Sequence, residues 1–147
     1  MQSAALKLAL TFVDDGRPRI RIQPMTPSRA VLIVDDSMAS GCALGDVLRR
    51  AGIDDVEIAA SLQAALDCLA NRRFGLVIAD FLVGDATGLD VRSAMQALPN
   101  AADMAFILLS NRCAGTQPRL DISSLTKPVN PLRLRELVIA KLAGLLR

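Results

Sequence analysis

The sequence predicts an α/β protein in which helices wind doubly around five parallel strands, behind a short hairpin-like N-terminal extension. Three observations carry that prediction. Apolar runs of strand length recur at 31–34, 75–79 and 105–109, with the unbroken apolar character of strands covered on both faces. Segments of helical length and periodicity alternate with them. The strands also end in one kind of chemistry, with Asp35 and Asp36, Asp80, Ser110 and Lys127 at their carboxyl ends, where an open α/β sheet binds its ligand.

In the leader, Leu6, Leu8, Leu10 and Phe12 alternate with Lys7, Ala9, Thr11 and Val13; Asp14-Asp15-Gly16 interrupts, and alternation resumes over Arg19 to Ile22, the pattern of a β-hairpin. Pro24, Pro27 and Ser28 make Gln23 to Arg29 a linker, so 1–29 form an extension and 30–147 one domain. Five strands are then expected at 31–34, 55–59, 75–79, 105–109 and 122–125, and helices at 38–51, 61–71, 87–97 and 131–146. The last helix is the clearest, with Asn130 as cap, Pro131 in the first turn, and Leu132, Leu134, Leu137, Val138, Lys141, Leu142 and Leu145 at near-helical spacing. Right-handed crossovers arrange such units as a flavodoxin-like sheet of order 2-1-3-4-5, with its switch point between the first and third strands. Asp35, Asp36 and Asp80 converge there.

Composition narrows the function. A 147-residue chain that is 52% apolar can bury a core, and its length suits one domain. A net charge of +2 leaves no electrostatic footprint for nucleic acid, and with aromatics at 3% there are few stacking platforms for single strands, so direct nucleic-acid binding is disfavoured. Cys42, Cys68 and Cys113 are odd in number and widely spaced, which signals neither a disulfide framework nor a zinc site and suits a reducing cytoplasm. The N-terminus lacks the pattern of a signal peptide, and no run reaches transmembrane length, so no membrane insertion is expected. With no histidine, the chain cannot itself carry a phosphohistidine.

An Asp-Asp pair at a strand end is only moderately specific, since one carboxylate can cap the next helix and the other be solvated. A second strand ending in Asp80 beside it changes the balance, because three adjacent anions repel unless a cation sits among them. Mg²⁺ is the expected cation: it accepts carboxylates, carbonyls and water, and retains waters that phosphate oxygens displace. Lys127 before Pro128, taken alone, reads as a solvated loop lysine, and Ser110 alone as a cap or turn residue.

Together, in this order, VLIVDDS, LVIADFLVGDATG, FILLSN and LTKP resemble the receiver domain of two-component response regulators over roughly 31–147. The resemblance implies that Asp80 accepts a phosphoryl group from a phosphohistidine on a sensor histidine kinase or a histidine phosphotransfer partner. It implies that Asp35, Asp36, Asp80 and the Leu82 carbonyl hold Mg²⁺, and that Ser110 and Lys127 engage the phosphoryl group. Gly88 matches the glycine of the family's loop. Gly84 stands where most receivers have proline, so a more mobile loop is expected.

Two departures concern output. Ser124 replaces the aromatic residue whose rotamer reports phosphorylation, and the interval from Ser110 to Lys127 is short and contains Gly115 and Pro118, so a shortened fourth family helix is expected. Asn111, where a small residue is usual, bears with Arg112 on access to Asp80. The alternative reading is a pseudo-receiver that keeps the fold as a phosphorylation-independent protein-interaction module. A haloacid-dehalogenase-like phosphatase needs a second acid two positions after its aspartate; Ser37 and Leu82 stand there instead. At most the chain would catalyse its own phosphorylation and dephosphorylation, with no separate output domain expected after the last helix. The leader suits either the last strands of an upstream domain or an arm that pairs with a sheet edge or a second subunit, which leaves a homodimer open.

Overall fold

The computed structural model describes residues 6–12, 16–24, 28–111 and 122–145. Two antiparallel strands, β1 (Leu6–Phe12) and β2 (Pro18–Pro24), form the expected hairpin. Gln23 and Pro24, expected in the linker, belong to β2. Next come β3 (Val31–Val34), α1 (Met38–Arg50), β4 (Val56–Ala59), α2 (Leu62–Asn71) and β5 (Leu76–Asp80). A small hairpin of β6 (Leu82–Val83) and β7 (Ala86–Thr87) leads into α3 (Gly88–Gln96), and β8 (Ala105–Ser110), β9 (Ser123–Thr126) and α4 (Pro131–Leu145) complete the order. The expected shortening of the helix after the fourth sheet strand concerns 112–121, which lie outside the described residues.

The main sheet is parallel, in the order β4-β3-β5-β8-β9, which is 2-1-3-4-5 when its own strands are counted. Successive apolar residues of β3 and β5 are all buried and feed opposite cores. Leu32, Val34, Val77 and Ala79 pack with Ala65 and Leu69 of α2 and Val91 and Met95 of α3. Val31, Ile33, Leu76 and Ile78 pack with Leu44 and Leu48 of α1 and Leu134, Val138 and Leu142 of α4. Each of the Val, Leu, Ile and Met side chains among them contributes about 1.5–3 kcal/mol on burial. Both faces being covered explains why these strands read as continuous apolar runs rather than alternating ones.

Helix starts follow their caps. Ser37, Ser61 and Thr87 each accept a hydrogen bond from the backbone N–H three residues on, and Asn130 Oδ1 accepts from the N–H of Leu132 and of Arg133. The caps at Ser61 and Thr87 put the starts of α2 and α3 one residue later than the periodicity suggested. In α4 the apolar pattern extends one position too far, for Leu132 is exposed whereas Leu134, Val138 and Leu142 are buried. Where the chain enters the domain, Ser28 Oγ donates to the Arg73 carbonyl and accepts from the Ala30 N–H, both at 3.1 Å. A Cβ at Gly75 would overlap the Ser28 carbonyl oxygen, so a glycine there lets the entering chain press against the start of β5.

Candidate functional site

Register brings the acids together. Val34 pairs with Ala79 across β3 and β5, so the residues that follow, Asp35 and Asp80, reach the same edge of the sheet. Asp35 continues the ladder with β4, its N–H donating to the Ala59 carbonyl at 3.0 Å, and its side chain is 1% exposed. Its Oδ1 accepts from the Ser37 N–H at 2.9 Å, so one oxygen braces the turn into α1. Its Oδ2 is buried without a hydrogen-bond partner among the described residues. Asp36, the next residue, faces outward and is exposed; its Oδ2 accepts from the Gly84 N–H at 3.1 Å. Asp80 closes β5. One carboxylate oxygen from each of Asp35, Asp36 and Asp80 lies within 4.8 Å of the others.

Lys127 joins them from the far edge strand. Its backbone N–H donates to the Ser110 carbonyl at 2.8 Å, extending the β8–β9 ladder, and the Lys127–Pro128 peptide is cis. Its Nζ donates to Asp80 Oδ2 at 2.7 Å and stands 3.9 Å from Asp35 Oδ2, close enough for attraction but too far for a hydrogen bond. One ammonium facing three carboxylates leaves the cluster short of positive charge. The orphaned Asp35 oxygen adds to the demand, since a buried carboxylate oxygen is costly unless a cation or donor satisfies it. This donor set fits a hard divalent cation.

The loop after Asp80 is built by hydrogen bonds. The Phe81 N–H donates to the Leu109 carbonyl at 2.7 Å, and the Gly88 N–H returns to the Phe81 carbonyl at 2.9 Å. Between them Leu82 pairs with Thr87 and Val83 with Ala86, leaving Gly84 and Asp85 as a two-residue turn. Gly84 has φ +60°, a conformation that glycine adopts freely and proline cannot. The glycine also places a donor: the Gly84 N–H, which proline would lack, holds Asp36. At Gly88 a Cβ would stand 2.6 Å from the Asp80 carbonyl oxygen, so its absence lets α3 start directly behind the strand end.

Of the expected site residues, Asp35, Asp36, Asp80 and Lys127 are brought together. Ser110 ends β8 beside Thr126, one residue from Lys127, and is partly buried. Leu82 lies two residues past Asp80 with its side chain exposed, and Asn111 is exposed; Arg112 is outside the described residues. Sequence reading missed Gly84 as a donor. It also missed the reciprocal capping box of Thr87 and Asp90, which the Thr-x-x-Asp spacing ahead of an apolar stretch signals. On β9, Ser124 is exposed and helps line a cavity of about 400 Å³ with Arg133, Glu136 and Leu137 of α4.

A family model described as the response regulator receiver domain matches residues 31–139. The chain belongs to that family. Among solved structures, this receiver is similar to the chemotaxis response regulator CheY4 of Vibrio cholerae, with 25% identity and TM-score 0.67 over 78% of this chain and 99% of that one. It also shares its fold with the signal receiver domain of a signal transduction histidine kinase from Syntrophus aciditrophicus, at 24% identity, TM-score 0.68, and 80% and 92% of the two chains. A CheY-like receiver domain from Methylobacillus flagellatus has 22% identity and TM-score 0.69, over 77% and 98%. Comparison with curated proteins finds no match. Among the described residues no helix is long and apolar enough to cross a membrane.

Proposed function

We propose that this receiver accepts a phosphoryl group on Asp80 from a phosphohistidine of a sensor kinase or phosphotransfer protein, in a Mg²⁺-dependent reaction. The observation that carries the reading is the meeting of three carboxylates and the Lys127 ammonium at the carboxyl ends of β3, β5 and β9. A carboxylate at neutral pH is already ionised and needs no base. An Asp80 oxygen attacks phosphorus in line, forming the P–O bond as the P–N bond breaks and its electron pair leaves on the imidazole nitrogen. The donor histidine lies outside these 147 residues, which contain none.

Asp36 and Asp80 would hold the ion directly with the Leu82 carbonyl, and Asp35 through water or as a hydrogen-bond acceptor. Bound there, Mg²⁺ supplies charge neutralisation for the carboxylates and the transferring phosphoryl oxygens. Lys127 would exchange its bond to Asp80 for one to a phosphoryl oxygen, and the Ser110 hydroxyl would donate to another. A likeness to solved structures described as a sensor protein and as the signal receiver domain of a histidine kinase supports a two-component partner, and a cytoplasmic setting is part of the same proposal.

Incubation with a small phosphodonor and Mg²⁺, followed by intact-mass measurement, tests the proposal: the wild type gains one phosphoryl group and Asp80→Asn gains none. Absence of labelling in the wild type would favour the second reading, a phosphorylation-independent interaction module. Ser124 favours that reading, because no ring stands at that position to report the state of the site.

A further inference from the structure

The N-terminal hairpin takes no part in the site, yet its pattern is the most regular in the chain. The register sets Leu6 opposite Pro24, Leu8 opposite Ile22, Leu10 opposite Ile20 and Phe12 opposite Pro18. Strand alternation gathers these eight apolar positions on one face. Lys7 with Gln23, Ala9 with Arg21 and Thr11 with Arg19 make up the other, which carries cations and no anion. A two-stranded hairpin is marginal in water unless its apolar face is covered. Among the described residues the extensive backbone contacts of each strand are with the other strand.

We infer that the cover is the same face of a second copy, so that two hairpins stack as a four-stranded sandwich and the chain is a homodimer through its extension. Size permits this. Seven-residue strands are about 23 Å long, and two faces of eight apolar positions would bury on the order of 1,200 Å² together, the low end for a stable interface. Charge permits it too, because stacking the apolar faces turns both cationic faces outward.

Edge pairing is the poorer arrangement. Pro18 and Pro24 lack N–H groups at both ends of β2, which blunts that edge, and joining edges would widen the apolar face without covering it. The domain itself offers no matching surface among the described residues: its exposed large apolar side chains, Met38, Leu82, Leu132 and Ile139, are scattered over α1, the β6–β7 hairpin and α4. Ser28, four residues beyond the end of β2 at Pro24, is fastened to Arg73 at the amino end of β5. The hairpin is therefore tethered at the end of the sheet away from the acids, and stacking leaves both acidic sites open.

Sedimentation equilibrium of the full chain across the micromolar range tests the inference. The wild type should have twice the 15.7 kDa chain mass. The double variant Leu10→Glu/Ile20→Glu, at the centre of the apolar face, should dissociate at least roughly 100-fold more readily, with the helical circular dichroism of the domain unchanged. Arg19→Gln/Arg21→Gln, on the opposite face, should remain dimeric. A monomeric wild type overturns the inference, and so does one that binds anionic lipid vesicles as a monomer, which would give the face to a membrane surface. A dimer that survives Leu10→Glu/Ile20→Glu, or is lost equally in the Arg19/Arg21 variant, overturns the face assignment.

Discussion

Lys127 and Asp80, 47 residues apart in sequence, meet at 2.7 Å between Nζ and Oδ2, and this contact ties the edge strand β9 to the acids at the centre of the sheet. Both side chains are mostly buried, at 24% and 16% exposure, so the pair is less screened than a surface bridge. With the longer approach of the same ammonium to Asp35 at 3.9 Å, it partly offsets the repulsion among Asp35, Asp36 and Asp80.

Removing that ammonium should therefore be felt most when no metal is present. Lys127→Ala is expected to lower metal-free stability by about 1–2 kcal/mol, and added Mg²⁺ should recover most of the loss. Thermal melts with and without Mg²⁺ measure this; equal melting of variant and wild type without metal would show that the bridge is energetically idle.

Asp36→Asn keeps the shape of the side chain and an acceptor for the Gly84 N–H but removes the charge. It should fold normally and lose Mg²⁺-dependent phosphorylation of Asp80. Labelling at the wild-type rate would remove Asp36 from the metal site.

Two substitutions at Gly84 grade the demands of this turn. Gly84→Ala must adopt φ near +60° and should cost about 1 kcal/mol, whereas Gly84→Pro can adopt neither that φ nor the bond to Asp36 and should cost about 2–3 kcal/mol. Urea titration of the two variants gives the comparison, and equal stabilities would show that the hydrogen bond contributes nothing.

Gly88→Ala would place a Cβ 2.6 Å from both the Asp80 carbonyl oxygen and Leu108 Cδ1. Leu108 can move, but the backbone oxygen cannot without shifting Asp80. A loss of about 1–3 kcal/mol together with slower phosphorylation is expected. Destabilisation with an unchanged phosphorylation rate would mean that α3 alone absorbs the clash.

The two described cysteines should react differently. Cys42 is exposed, whereas burial pushes the Cys68 thiol up, and its S–H donates to Glu57 Oε1 at 3.4 Å, which raises it further. Since the thiolate is the nucleophile, Cys68 should alkylate more slowly than Cys42 at mildly alkaline pH, and Glu57→Gln should narrow the gap. Peptide mapping after a timed pulse of iodoacetamide reads both.

Much of this molecule is written locally. Continuous apolar runs fixed β3, β5 and β8 to within a residue, because strands covered on both faces carry no polar alternation to blur. Likewise, Asp35, Asp36, Asp80 and Lys127 could be placed at strand ends from their neighbours alone, and a hairpin over the leader followed from alternation about Asp14-Asp15-Gly16, although its second strand runs on through Gln23 and Pro24, which read as linker.

Tertiary structure decided what depends on atoms from distant segments. Two adjacent aspartates look alike in sequence. Packing buries Asp35 against the Ser37 turn and leaves Asp36 exposed under the Gly84 N–H, because consecutive residues leaving a strand face opposite ways. Gly84 itself reads as a loose loop residue until a turn with positive φ aims its donor at a carboxylate 48 residues away. Gly75 gives no local sign that the Ser28 carbonyl needs its space. A sequence records which groups each segment offers; distances, burial and donor direction arise only when the segments pack.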